Sequence, residues 1–175
     1  MDTKTFDFGN GPVPAHQHPN GGGWVADTAT VSGTAHVGPN ARVYGNAVVT
    51  DYARVYGNAW VSDYAKVFDD AWVYGNVRVY GHAVVSGGAV VSVNAWVSGR
   101  AMVSGNAMVS GNARVYGNAM AFGNAEVYGN AMVFEDAKVF GKAMVEGTAV
   151  VNGDAEVYGD AYDSGSILLS ENYKR

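Results

Sequence analysis

A six-residue repeat continues through most of this chain without an insertion or a deletion. Valine stands at every sixth position from Val25 to Val157, and Ala121 is the one exception. From the second unit onward an alanine precedes each of these positions by two residues, except at Val77. The unit Ala-x-Val-x-Gly-Asn appears unaltered at residues 113–118. A period that keeps its register this long indicates a stacked repeat architecture.

The repeat unit predicts a short strand followed by a corner. Alanine and valine alternate with two variable residues, which is the period of a β-strand. Glycine and asparagine then suit the left-handed backbone of a tight turn, and a glycine in most units disfavours a helix by about 1 kcal/mol each. Because so short a strand cannot bury its inner face alone, the units must wind and stack. We therefore predict an all-β fold, a single-stranded parallel β-helix with triangular coils of three units, or 18 residues.

The limits of the repeat divide the chain into three parts. Residues 1–23 contain Gly, Pro and His outside the repeat and are expected to form an N-terminal cap. Residues 24–162 are the hexapeptide-repeat β-helix. Residues 163–175 are expected to form a C-terminal cap and tail, beginning where Asp163 replaces the repeat valine. Caps are expected because the open ends of a solenoid expose strand edges.

Charge and composition argue against several classes of function. The formal net charge is -5 and there is no basic block, so nucleic acid is not an expected partner. The absence of cysteine excludes disulfides, thiolate metal sites and cysteine nucleophiles. No apolar run approaches the roughly 20 residues of a membrane-spanning helix. The segment Met1–Lys4 lacks the basic start of a signal peptide, so a cytoplasmic location is the default expectation.

The six-residue units resemble the hexapeptide-repeat superfamily, the left-handed parallel β-helix of many acyltransferases. This resemblance implies left-handed coils, against the right-handed rule for other parallel crossovers. More narrowly, Gly21-Gly22-Gly23-Trp24-Val25-Ala26 followed by Val-Tyr-Gly-Asn-Ala units is similar to uncharacterised hexapeptide-repeat proteins of phages and prophages. Some of those are labelled transferases by fold analogy, which is weak evidence for an activity.

No residue of the chain is assigned a catalytic or metal-binding role. Acyltransferases of the superfamily usually hold a catalytic histidine near a subunit cleft, often beside a loop excursion that the unbroken repeat here lacks. His36 falls at an outward strand position and His82 at a corner, where a solvated side chain is the simpler interpretation. The γ-class carbonic anhydrases share this fold and bind zinc with three histidines from adjacent subunits. His16 and His18 have a spacing that two zinc ligands could use, but no third ligand is evident. We expect no cofactor.

Residues 18 apart share a face, so the outward positions fall into three columns. In the first column Trp and Arg alternate for six coils, with Tyr beside each Arg. Guanidinium groups stack on indoles at about 0.5–1 kcal/mol for each exposed pair, and these residue types dominate binding hot spots. A self-stabilising side-chain ladder is the competing explanation. The candidate ligand- or partner-binding residues are Trp24, Arg42, Tyr44, Trp60, Arg78, Tyr80, Trp96, Arg114 and Tyr116.

The second column is apolar in its middle, which is typical of an interface. The candidate residues for self-association are Val48, Phe68, Val84, Met102, Met120, Phe122 and Phe140. The third column runs from His36 to Tyr162, is mixed in character and receives no assignment. A corner column of asparagines, from Asn40 to Asn130, predicts a ladder of side-chain amides.

Together these observations predict a non-enzymatic β-helix scaffold, a homo-oligomer (trimer or dimer) related to phage proteins. We expect it to bind a protein, for example a host protein, or a glycan or small ligand through the Trp/Arg/Tyr face. The alternative is a hexapeptide acyltransferase whose active site lies between subunits.

Overall fold

The computed structural model describes residues 4–164, 168–169 and 173–174, and all regular elements in these ranges are β-strands. The strands form three sheets, and each sheet receives one strand from every coil. Within a sheet, residues 18 apart are paired in parallel, so that Val48 pairs with Lys66 and Lys66 with Val84. The prediction of an all-β parallel β-helix with 18-residue coils is confirmed.

The first sheet has eleven strands, of which the first two form a hairpin. Its strands are Thr5–Asp7, Pro12–Gln17, Trp24–Ala26, Arg42–Val43, Trp60–Val61, Arg78–Val79, Trp96–Val97, Arg114–Val115, Met132–Val133, Val150–Val151 and Leu168–Leu169.

The second and third sheets have nine and eight strands. The strands of the second sheet are Thr30–Val31, Val48–Val49, Lys66–Val67, Val84–Val85, Met102–Val103, Met120–Ala121, Lys138–Val139, Glu156–Tyr158 and Tyr173–Lys174. The strands of the third sheet are His36–Val37, Arg54–Gly57, Trp72–Gly75, Val90–Val91, Met108–Val109, Glu126–Val127, Met144–Val145 and Tyr162–Asp163.

Backbone hydrogen bonds join each coil to the next. The Val48 N–H donates to the Ala65 carbonyl at 2.9 Å, and the Thr50 N–H donates to the Val67 carbonyl at 3.0 Å. The interior is filled by the repeat alanines and valines, and every one of them from Ala35 to Val157 is fully buried. Because successive side chains of a strand point to opposite sides, the outward residues take no part in this core.

The corners stack closely, and their backbone is left-handed. Gly57 has a φ of 67°, and a Cβ there would lie 2.8 Å from the Gly75 nitrogen. Where an acid replaces glycine it hydrogen-bonds to the next coil: the Gly81 N–H donates to the Asp63 carboxylate at 3.0 Å, and the Gly153 N–H to the Glu135 carboxylate at 2.7 Å. Backbone amides at these corners thereby gain an acceptor, which offsets the strain of a left-handed acid.

The N-terminal hairpin, Thr5–Asp7 and Pro12–Gln17, covers one end of the first sheet. Pro12–Gln17 pairs antiparallel with Trp24–Ala26. Phe8, Ala15 and Ala26 are buried together in a small cluster of their own. The hairpin thus shields a strand edge of the first coil, and apolar packing holds it there.

At the other end the parallel ladder extends past residue 162. Asp163 pairs with Val145, occupies the inward position and is 3% exposed. Leu168–Leu169 then pairs with Val150–Val151. Of the predicted C-terminal cap and tail, residues 165–167, 170–172 and 175 lie outside the described residues.

Candidate functional site

The outward face of the first sheet carries a continuous stack of alternating guanidinium and indole groups. The Arg42 guanidinium carbon lies 5.1 Å from the Trp60 ring centroid, and that of Arg78 lies 5.2 Å from the same ring. Trp96 is enclosed in the same way by Arg78 at 5.1 Å and Arg114 at 4.9 Å. We call these five residues the Trp–Arg ladder.

The ladder follows directly from the in-register parallel pairing. Adjacent strands lie about 4.8 Å apart, a spacing that brings planar groups one coil apart face to face. Arg78 pairs in register with Trp60 and Trp96. Planar side chains that follow one another in a column can therefore stack face to face. Trp and Arg both have planar groups, so they can alternate along this column without a steric clash.

Tyrosines flank the ladder on the same face. Tyr44 meets Trp60 edge to face at 6.3 Å, and Tyr116 stacks on Phe134 at 4.8 Å. Burial raises the pKa of the Tyr116 hydroxyl, with Glu135 contributing to the rise and Arg114 opposing it. The hydroxyl therefore stays protonated at neutral pH and can donate a hydrogen bond.

The face is only partly exposed, since the stacked rings bury one another. Arg78 and Arg114 are exposed, whereas Trp60, Trp96 and Tyr80 are half-buried. The ladder therefore contributes to stability through its own contacts and still presents charge and ring edges to solvent. Next to it lies a concavity of about 270 Å³, lined by Asn10, Tyr44, Trp60, Ser62, Asp63, Arg78 and Tyr80.

The hairpin already occupies the N-terminal end of this face. Phe6 stacks on Trp24 with ring centroids 4.6 Å apart, and Phe8 stacks on Tyr44 at 4.9 Å. The Arg42 guanidinium also lies 5.2 Å from the Phe6 ring. Trp24 and Tyr44, two of the candidate binding residues, are thus packed against the chain's own hairpin. The sequence repeat could not reveal this, because Phe6 and Phe8 lie outside it.

The candidate residues for self-association share the second sheet. Phe122 and Phe140 stack at 4.9 Å, nearly parallel. In the middle of the sheet Met102 is 41% exposed, while Val48, Phe68, Val84 and Met120 are half-buried. The ion pair between Lys138 and Glu156, at 2.8 Å, flanks this apolar centre.

Two of the histidines lie in the N-terminal segment with different partners. His16 Nδ1 is 2.9 Å from an Asp27 carboxylate oxygen, and both side chains are about half exposed. His18 is buried, with Nδ1 3.2 Å from the Asn20 carbonyl. Within the described residues no cluster of three His, Cys, Asp or Glu side chains could hold a metal ion.

The third sheet carries a concave pocket of about 500 Å³ that the sequence columns did not identify. Its lining residues are Asn20, Thr34, His36, Tyr52, Arg54, Tyr56 and Trp72. Arg54 lies 4.8 Å from the Trp72 ring, so this column repeats the contact of the Trp–Arg ladder. The sequence could have indicated the contact between Arg54 and Trp72, because the two residues are 18 apart. That Asn20 and the corner residues line the same pocket could be seen only in the folded structure.

These observations define the chain as a β-solenoid repeat protein. Residues 41–55, 71–87, 95–111, 103–117 and 107–123 match the family model described as the YdcK beta-solenoid repeat. The matched segments cover less than half of the chain, so they are stated as a similarity to that repeat. Comparisons with the curated proteins and with the solved structures find no match. Within the described residues there is no helix that could cross a membrane.

Proposed function

We propose that this β-solenoid is a non-enzymatic scaffold that binds a partner through the exposed part of its first sheet. The observation that carries the proposal is the Trp–Arg ladder, together with the hairpin seated at its end. Phe6 and Phe8 dock on Trp24 and Tyr44. The chain's own segment is thus an example of an aromatic-bearing strand held by this face.

The rest of the face offers the same chemistry without a covering segment among the described residues. Arg78 and Arg114 are exposed, and Trp60 borders the concavity of about 270 Å³. Of a protein, a glycan and a small ligand, the hairpin contacts favour a protein segment with aromatic side chains. Such a segment would gain ring stacking and cation–π contacts of the kind that concentrate in hot spots.

A double variant tests this proposal. Trp60→Ser with Arg78→Ser removes the centre of the ladder, and Arg54→Ser with Trp72→Ser is the matched control, because it removes the same residue types from the third sheet. Each variant is compared with the parent in thermal stability, oligomer mass and capture of partners from host lysate. We expect the first-sheet variant, which loses three cation–π contacts, to be destabilised by about 1–2 kcal/mol. The third-sheet variant loses one such contact and should be destabilised by less. Only the first-sheet variant should lose capture with its mass unchanged.

Two outcomes would contradict binding through this face. Full capture by the Trp60→Ser, Arg78→Ser variant would leave the ladder a purely stabilising feature. A change in its oligomer mass would instead make the first sheet an interface between copies of the chain.

We also propose self-association through the second sheet, as a trimer or a dimer. The support is the apolar stretch of Val84, Met102 and Met120, with Met102 the most exposed. Exposed apolar side chains in a continuous patch favour contact with another protein surface. Left-handed coils, a phage origin and a cytoplasmic location stay predictions.

Acyl transfer is the second candidate, and one contact favours it. His16 lies beside Asp27, the arrangement of an oriented general base with its second nitrogen available. Against it stand the half exposure of both side chains and the unbroken repeat. We expect no turnover of acetyl-CoA with the purified protein. Turnover that disappears in His16→Ala, His36→Ala or His82→Ala would replace the scaffold by an enzyme.

A further inference from the structure

The pocket on the third sheet is separate from the Trp–Arg ladder and has a chemistry of its own. It extends from the corner residues Thr34 and Tyr52 onto the strand positions His36, Arg54 and Trp72. The cap contributes Asn20, so that cap, corner and sheet all line one concavity. Its volume of about 500 Å³ lies in the range of small-ligand sites.

Arg54 supplies this pocket with a positive charge that belongs to no ion pair among the described residues. Its guanidinium lies 4.8 Å from the Trp72 centroid, and stacking through its plane leaves the N–H groups at the edge available for a forked contact with a carboxylate. None of the lining residues is acidic. Among the described ion pairs none includes Arg54, although the chain carries a net charge of -5.

Asn20 fixes which nitrogen of His36 carries the proton. The Asn20 side-chain nitrogen donates to the Ala35 carbonyl at 2.9 Å and approaches the Thr34 carbonyl at 3.4 Å. Its amide oxygen therefore faces His36 Nδ1, which lies 3.2 Å away and must be the donor. In the neutral ring Nε2 is then left as an acceptor, which suits a hydroxyl group and disfavours a bare anion.

Aromatic rings supply the apolar part of the lining. Tyr52 is 67% exposed and Trp72 is 38% exposed, so both rings present apolar surface to solvent. Tyr56 is held by stacking on Tyr74, with centroids 5.1 Å apart and planes within 6°. Burial is the main cause that raises the Tyr56 pKa, so its hydroxyl is a donor at neutral pH.

We propose that this pocket binds a sugar acid, a pyranose ring that carries a carboxylate. Arg54 pairs with the carboxylate, Tyr52 and Trp72 contact the apolar face of the ring, and His36 Nε2 accepts from a ring hydroxyl. A carboxylate alone would use Arg54 but not the His36 acceptor, and a neutral sugar would leave Arg54 without its ion pair. The combination of cation, acceptor and exposed rings is what selects this ligand class.

The test uses the full chain and three probes: glucuronate, glucose and inorganic phosphate. Binding is followed by the NMR signal of the Trp72 indole N–H, assigned with Trp72→Phe. We expect a saturable shift with glucuronate, binding of glucose weaker by about tenfold or more, and no displacement of glucuronate by equimolar phosphate. Arg54→Gln should weaken glucuronate by about tenfold. Arg100→Gln is the control, because Arg100 is an exposed corner residue that does not line this pocket, and it should leave the affinity unchanged.

Several results would overturn the proposal. They are no shift with glucuronate, equal affinity for glucose, displacement by phosphate, or unchanged affinity in Arg54→Gln. Tyr52→Ala provides a second variant whose exposed side chain carries little of the fold, and it should also weaken glucuronate. None of these measurements depends on the first sheet, so failure here is distinguishable from failure of the proposed scaffold function.

Discussion

Val93 adopts the same left-handed backbone as Gly75, which stands one coil earlier at the same corner: their φ angles are 65° and 89°. The Asn76 N–H donates to the Val93 carbonyl at 2.6 Å, so the corner hydrogen bond is kept despite the substitution. A β-branched residue in this region is a true outlier. The corner geometry is therefore imposed by the stacked neighbours rather than by the preference of Val93.

Val93→Gly should stabilise the protein by about 1 kcal/mol, because it relieves a left-handed backbone that costs a non-glycine residue about 1–2 kcal/mol. The free energy of unfolding in urea measures the effect. Gly111→Val, one coil further along the same column, is the reverse change and should destabilise. The Gly111 backbone has a φ of 70°, and a Cβ there would meet the Gly129 oxygen at 2.8 Å. A Val93→Gly variant no more stable than the parent would contradict this account of the corner.

Asn94→Ala should cost about 1 kcal/mol, because it breaks two links of an amide ladder. The Asn76 amide donates to Asn94 at 3.0 Å, and the Asn94 amide donates to Asn112 at 3.1 Å. Asn46→Ala is the control, since no side-chain hydrogen bond is described for Asn46, and it should have a smaller effect. Urea denaturation compares the two, and equal losses would mean that the ladder adds nothing to the corner preference of asparagine.

Tyr128→Phe should remove a pH-dependent contribution to stability. A hydrogen bond to Glu146, with burial as a smaller cause, raises the pKa of the Tyr128 hydroxyl to about 12. Because this folded-state pKa is above the ordinary value of 10.0, the contribution is complete below pH 10 and is lost as pH rises toward 12. The melting-temperature difference between parent and variant should shrink across that window. Tyr52→Phe controls for the loss of a tyrosine hydroxyl, because the Tyr52 side chain is 67% exposed.

Glu146→Gln should remove the corresponding contribution on the acid side. Hydrogen bonds from Tyr128, and then from Tyr162, hold the pKa of the Glu146 carboxyl below its ordinary value of 4.5. A lowered folded-state pKa means that the contribution is present above pH 4.5 and is lost as pH falls below it. The free energy of unfolding should therefore be lower in the variant than in the parent above pH 4.5, and this difference should shrink as the pH falls below 4.5. Identical curves at all pH values would contradict the assigned hydrogen bonds.

Met120→Glu should reduce the oligomer mass, because it places a charge in the apolar centre of the second sheet. Light scattering at tens of micromolar protein measures the mass. Met108→Glu is the matched control, since Met108 is exposed on the third sheet and should leave the mass unchanged. A parent protein that is itself monomeric under these conditions would contradict self-association.

The fold could be predicted almost entirely from the repeat, because each unit contains two inward-facing apolar residues followed by the residues of a corner. Val77 stands at a repeat alanine position and Ala121 at a repeat valine position. Both residues are fully buried, and neither changes the register of the coils. The hairpin could not be predicted in the same way. Phe6 and Phe8 lie where no period places them, and their partners Trp24 and Tyr44 are defined only once the first sheet is built.

Columns of the sequence predicted which side chains share a face but not how corners and cap shape it. The alternation of Trp60 and Arg78 was readable from an 18-residue spacing. The pocket at Arg54 was not, because it combines a strand column with Asn20 from the cap and Tyr52 from a corner. Such a pocket forms where strand, corner and cap residues meet, so it cannot be predicted from the residues of one column.

The uniform coil makes the length of this molecule adjustable in fixed steps. Inserting or deleting 18 residues would add or remove one rung of about 4.8 Å and would leave every outward column aligned. An insertion of six residues would instead turn the later part of the chain by one face, so that the column that contains Trp60 would continue on a neighbouring sheet. Duplication of whole coils can therefore lengthen a binding surface in steps of one coil. Insertion of a single six-residue unit would instead join the first part of one face to the later part of another.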